Sequence, residues 1–248
     1  MKFKKEILLF ILIQSVLVSN PVPLVAQELD EVVQRYIKST WGNIELDYIH
    51  SIRIFSYFFD EQGIPKSYIL KEIKIPNLIK IEYFTDHKHK GYTIAYDGEI
   101  GWELSVSNNY TSPVKLSLER SKDLSSDISI IEPFLQPERI GAEVKLNGKK
   151  IFIGTKSHEL IVTLKDGTIN GYYIDPENYR LIGSADILIE DSRMNYSDLY
   201  YFKDFRMVDG IYFSFLTEQK RSNVTTNAIK IIRIEVNPEF SDGHFKMP

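Results

Sequence analysis

The sequence predicts a mainly β (α+β) fold: one large, curved antiparallel sheet, a single N-terminal helix and a helical insertion halfway along the chain. Three observations carry this. From His50 onward, segments rich in β-branched and aromatic residues are punctuated by Gln62-Gly63, Asp97-Gly98, Asn147-Gly148, Asp166-Gly167 and Asp209-Gly210. Asn-Gly and Asp-Gly suit hairpins because their central residues tolerate positive φ. Ahead of the strands, residues 29–37 carry apolar groups at helical spacing, and residues 112–139 break the later alternation between Pro113, Pro133 and Pro137.

In chain order, Lys2, Lys4 and Lys5 precede an apolar run from Ile7 to Ile13 that weakens towards Val18. A membrane span needs about 20 apolar residues, and this run is broken by Gln14 and Ser15, so residues 1–26 read as a secretory signal peptide cleaved at Ala26-Gln27. Residues 27–248 then form a single domain. Leu29, Val32, Val33, Tyr36 and Ile37 share one side of a helix of about 12 residues ending near Trp41-Gly42, with Glu28, Asp30, Glu31, Gln34 and Arg35 opposite.

Strands are expected near 49–59, 66–75, 78–85, 91–97, 101–107, 142–147, 150–155, 158–165, 168–175, 181–190, 198–208, 211–220 and 226–237. Some neighbours merge, which leaves about eleven. The insertion should hold one or two short helices, one starting at Pro113 and one ended or kinked by Pro133. Residues 198–248 read as two strands around Asp209-Gly210, a third strand and a tail, the closing edge of the sheet.

Composition narrows the function. The chain of 248 residues has no cysteine and is 43% hydrophobic, so an exported form must bury a real core without disulfides. It also lacks the cysteine that bacterial lipid attachment requires, which points to a soluble mature protein. The formal charge of -4, with no basic run, argues against a nucleic-acid or anionic-membrane binder. There is no Gly-x-Ser-x-Gly elbow, phosphate-binding glycine loop or zinc-protease motif. His87 and His89 sit in a turn with Lys88 and Lys90 and read as solvated, not as metal ligands; His158 reads as a half-exposed surface residue, and Asp186 and Glu190 as one face of a solvated strand. No catalytic residue, metal or cofactor is expected, and function is to be sought in a surface.

Apolar strand surface is in surplus. Ile73, Ile75, Ile79, Ile81, Tyr83 and the Phe55, Tyr57, Phe58, Phe59 cluster offer more than one helix could cover. Residues 226–237 alternate Ala228, Ile232, Ile234 and Val236 with Ile229, Ile231, Arg233 and Glu235, so both faces carry apolar groups at one end. Two readings stand: an ordinary packed core, or a concave sheet with an incompletely filled hydrophobic mouth.

A set of segments in order carries a family resemblance: KIPNLIKIEY at 74–83, YDGEIGWEL at 96–104, YYIDPENYRLIG at 172–183, DFRMVDGIYF at 204–213 and IEVNPEFSDGHFKMP at 234–248, all after a signal peptide and an amphipathic helix. Together they resemble the bacterial outer-membrane lipoprotein-sorting proteins, the Lol-type periplasmic carriers of LolA/LolB-like fold, as a distant member. Lys74, Pro76 and Asn77 match the family's Lys-x-Pro-Asn segment, and Asp97, Gly98 and Trp102 its Asp-Gly-then-Trp segment. Ile75 stands where the classical carrier has the arginine that ties down its lid, and Phe213-Ser214 where Phe-Pro is usual. The first change removes a charge and five donors from a cavity wall and puts the usual lid switch in doubt.

The resemblance implies an unclosed antiparallel β-barrel of about eleven strands whose hydrophobic cavity is covered by the N-terminal helix and the insertion. It implies a carrier or chaperone in the periplasm of a Gram-negative bacterium that binds lipid or lipoprotein acyl chains for transfer towards the outer membrane. An inner-membrane donor and an outer-membrane acceptor would be its partners, with a monomer as the working form and no nucleic acid. The alternative on the same fold is a lipid- or protein-sensing module with a regulatory partner. The expected cavity wall is Phe55, Tyr57, Ile73, Ile75, Ile81, Tyr83 and Trp102, with Tyr172 and Phe213 further out. This takes Phe55 and Tyr57, not Ile54 and Phe58, as facing inward, and a one-residue change of register reverses the choice.

Overall fold

The computed structural model describes residues 24–85, 89–106, 112–126, 128, 130–191, 193–222, 224–241 and 243–248. The expected signal peptide up to residue 23, and His87, lie outside them. Helix α1 spans Leu24–Thr40, starting earlier than the periodicity suggests. Its buried Val32 and Tyr36, with Leu29, Val33 and Ile37 beside them, are the apolar side read from the sequence.

Among the described residues thirteen strands follow: β1 (Ser51–Phe59), β2 (Pro65–Lys74), β3 (Leu78–Phe84), β4 (Lys90–Tyr96), β5 (Gly101–Ser105), β6 (Val114–Lys115), β7 (Glu143–Phe152), β8 (Thr155–Thr163), β9 (Ile169–Ile174), β10 (Leu181–Glu190), β11 (Arg193–Val208), β12 (Ile211–Arg221) and β13 (Val224–Val236). They form one antiparallel sheet in the order β6-β5-β4-β3-β2-β1-β13-β12-β11-β10-β9-β8-β7. Two meanders are thus joined where β1 pairs with β13, so the strands of residues 198–236 lie mid-sheet and not at the expected closing edge; the edges are β6 and β7, which stay apart. One core cluster holds Ile79 of β3 and Leu160 of β8, eight positions apart in that order, so the sheet bends round a common interior. It is an unclosed barrel.

The topology dictates where the insertion goes. The chain leaves the sheet at one edge, β6, and re-enters at the other, β7, so the segment between them must cross the open mouth. It carries α2 (Leu118–Ser126) and α3 (Pro137–Ile140) and buries Leu124, Ile128 and Phe134 in the core. Pro113 does not start a helix. The start lies four residues on, where the Ser117 hydroxyl accepts the Arg120 backbone N–H at 3.2 Å and caps α2. Pro133 ends no helix either, while Pro137 takes the first turn of α3, where its missing N–H costs nothing.

Two departures from the expected strands have simple causes. Asn147-Gly148 makes no hairpin: β7 runs through it, a register shift between Leu146 and Lys149 absorbs the extra residue, and the reversal comes at Ile153 and Gly154, both left-handed. In β13, the register against β1 slips between Phe55 and Ser56, leaving Ile232 without a partner and half exposed. Ile234 and Ile231 therefore face the core across that bulge, and the simple alternation through Ile232 fails.

The other face of the sheet is partly covered by the C-terminal tail. Arg53 Nε donates to Glu72 Oε1 at 2.6 Å, His244 Nε2 meets Glu72 Oε2 at 2.6 Å, and the Arg53 guanidinium lies 5.1 Å from the Phe240 ring centre. Trp102 Nε1 donates to the Phe245 carbonyl at 2.8 Å. His158 corrects the sequence reading: it is buried, stacks on Tyr179 at 6.1 Å, and is pushed below the ordinary histidine pKa by burial, with Lys149 adding to the shift.

Candidate functional site

Between α1, the insertion and the inner face of β9–β12 lies a cavity of about 780 Å³. That is within the range of about 300–1,000 Å³ usual for small-molecule sites. The left-handed pair Asp209 and Gly210 makes the tight β11–β12 reversal and so fixes the parity of β12, turning Ile211, Phe213 and Phe215 inward. Phe202 on β11, Leu181 on β10 and Tyr172 on β9 continue the apolar wall. Phe134 of the insertion packs edge-on against Tyr36 and Tyr172, each at 5.2 Å, and locks the helix and the insertion to the sheet.

The wall is not purely apolar. Lys71, Glu132, Asp166, Thr168, Asn170 and Thr217 also line it. Burial raises the Glu132 pKa above the ordinary glutamate value, and the neighbouring Tyr36 hydroxyl only partly offsets this. Tyr36 is itself pushed well up by burial and by Glu132. Trp41 Nε1 lies beside the same hydroxyl without hydrogen-bond geometry, and neither it nor Glu132 Oε2 has a partner. Buried polar atoms without partners are uncommon and point to a function or to missing solvent.

A second cavity of about 430 Å³ lies on the other side of the insertion, walled by Leu46, Ile49, Ile75, Pro76 and Ile140 and rimmed by Asp47, His50, Gln136 and Arg139. Residues 130–133 line both cavities and form the partition between them.

The residues expected at the site are distributed as follows. Tyr172 and Phe213 line the larger cavity and Ile75 the smaller. Ile73, Ile81 and Tyr83 face the interior but are packed in the core. Phe55, Tyr57 and Trp102 are on the opposite face: Phe55 pairs with Arg233 while its neighbour Ile54 faces inward with Ile234, and Trp102 pairs with Ala95 while Ile94 and Tyr96 face inward. The aromatic richness of β1 misled because Phe55 and Tyr57 serve an outer cluster with Tyr68, under the Arg233 guanidinium. Glu132 and Trp41 were not singled out. Nothing in the SIIEPF segment marks its glutamate as buried, although Trp41 closes the one helical stripe.

A mostly β chain folded as an unclosed barrel round one helix and a mid-chain insertion is the LolA-like fold. Solved structures of that class superimpose on nearly the whole chain. A DUF1329 family protein from Desulfovibrio piger ATCC 29098 matches with TM-score 0.58 and 13% identity, over 90% of this chain and 97% of its own. The LolA superfamily protein NE2245 from Nitrosomonas europaea matches with TM-score 0.58 and 10% identity, over 88% of this chain and 97% of its own. A proposed outer membrane lipoprotein-sorting protein domain from Vibrio parahaemolyticus gives TM-score 0.58 and 10% identity, over 89% and 97%. At these identities the likeness is one of fold. No family profile and no curated protein matches the sequence.

Among the described residues no helix is long and apolar enough to cross a membrane, and no group of three or more His, Cys, Asp and Glu could hold a metal ion.

Proposed function

We propose that this protein is a periplasmic carrier that shelters acyl chains of lipoproteins or other lipids for transfer towards the outer membrane. The observation that carries the reading is the cavity of about 780 Å³ held open beneath the sheet by α1 and the insertion, in a fold shared with lipoprotein-sorting proteins. An acyl chain leaving a bilayer gives up about 0.8 kcal/mol per CH₂, so a carrier must offer apolar wall along most of the chain. Leu181, Phe202, Ile211 and Phe213, from three adjacent strands, offer such a wall. Lipoprotein or lipid is the cargo, and a membrane donor and an outer-membrane acceptor are the partners this task requires.

The test is binding of a fluorescent fatty-acyl probe. The protein should take it up with the emission of a buried fluorophore, and Phe213→Asp, which puts a charge in the wall, should weaken uptake by about tenfold or more. Absence of uptake by the unaltered protein, or equal uptake by the variant, contradicts the reading.

A further inference from the structure

The two cavities share a wall of four residues, 130–133. A methylene takes up about the room of one water molecule in the liquid, roughly 30 Å³. On that scale the smaller cavity, about 430 Å³, has space for roughly 14 methylenes, and the larger, about 780 Å³, for roughly 26. The smaller therefore suits one chain and not two, and the larger takes at least one. Where the cavities meet stands Glu132, which lines both and whose Oε2 has no partner, while Trp41 Nε1, also unpaired, belongs to the wall of the larger one. The point at which two chains would diverge is thus the point at which the protein holds unsatisfied hydrogen-bonding capacity.

From this we infer that the smaller cavity is a second acyl-chain site and that the cargo is a two-chain lipid, its chains on either side of residues 130–133 and its polar linkage at Glu132. The inference rests on the carrier reading above. Ile75 fits it: an arginine there would place a cation in the wall of the second site, whereas isoleucine extends its apolar surface. A carrier of single chains would have no use for that second apolar recess.

The test uses dioctanoylglycerol and monooctanoylglycerol as probes, each displacing the fluorescent fatty-acyl probe from the purified protein and from Ile140→Trp. Ile140 is about half exposed at the mouth of the smaller cavity and absent from the larger, so a bulkier side chain there fills one site only. The unaltered protein should bind the two-chain ligand about a hundredfold more tightly. Ile140→Trp should cut that affinity by about tenfold and leave the one-chain ligand within about twofold. If the substitution weakens both ligands alike, or neither, the second site is overturned while the carrier reading stands. If the unaltered protein binds neither ligand, the carrier reading falls and the inference with it. A melting temperature for Ile140→Trp far below that of the parent would move the same comparison to Ile140→Phe.

Discussion

Glu132 shows how one side chain can couple stability to pH in this protein. Its carboxyl is buried, which raises its pKa above the ordinary value of 4.5, so the native state holds a proton that the unfolded state releases. Stability from this group is complete below the unfolded value and is lost as pH rises through the raised native one. Glu132→Gln keeps the shape without the ionisation. Urea denaturation across a pH series should therefore show the variant gaining on the parent from about pH 4.5 upward until the native pKa is passed, and a constant difference would mean the carboxyl is solvated. Glu82 runs the other way. Burial pushes its pKa up, but the ammonium groups of Lys90 and Lys80 outweigh that and hold it below the usual range, which is why the comparison must be between parent and variant. Trp102 gives a second test at this scale. Trp102→Phe removes the donor to the Phe245 carbonyl and should cost about 1–3 kcal/mol, with uptake of an acyl probe unchanged because the ring lies on the far face. Weakened uptake would return Trp102 to the cavity.

The elements were legible to different degrees, for physical reasons. Helix α1 and most strands follow from periodicity because each has one strongly buried side: Leu29, Val32, Val33, Tyr36 and Ile37 pack where their spacing puts them. Hairpins such as Asp209-Gly210 follow from the same local chemistry. Facing direction was less legible in β1 and β13, since both of their faces are apolar in part and the slip at Ile232 changes parity within one strand. Asn147-Gly148 shows that a turn dipeptide can serve as a bulge when the neighbouring strand continues past it. Nor could the cavity be read residue by residue, because its walls come from α1, the insertion and strands β2 and β9 to β12, whose approach only the tertiary fold sets. One close approach between elements is directly testable. A Cβ at Gly183 on β10 would lie 2.2 Å from the Phe152 ring of β7 and 2.4 Å from the Tyr200 carbonyl of β11. Gly183→Ala should therefore lower stability by about 1–3 kcal/mol or more, measured by denaturant melting, and a neutral result would show that β7 and β10 do not close so tightly.

For the whole molecule, the arrangement that matters is an open sheet whose two edges are bridged by its own insertion. Because the insertion leaves the sheet at β6 and rejoins it at β7, the cover of the cavity is part of the same chain and cannot drift away. Phe134 anchors it to α1 and β9, and residues 130–133 divide the interior beneath it. The C-terminal tail braces the opposite face through Glu72, His244 and Trp102. Whether this interior holds lipid is decided by mass spectrometry of material extracted from the gently purified, detergent-free protein. Acylated molecules at close to one per protein chain, predominantly two-chain species, are the predicted result. An extract without acylated molecules, from protein whose interior takes up only water, would contradict it.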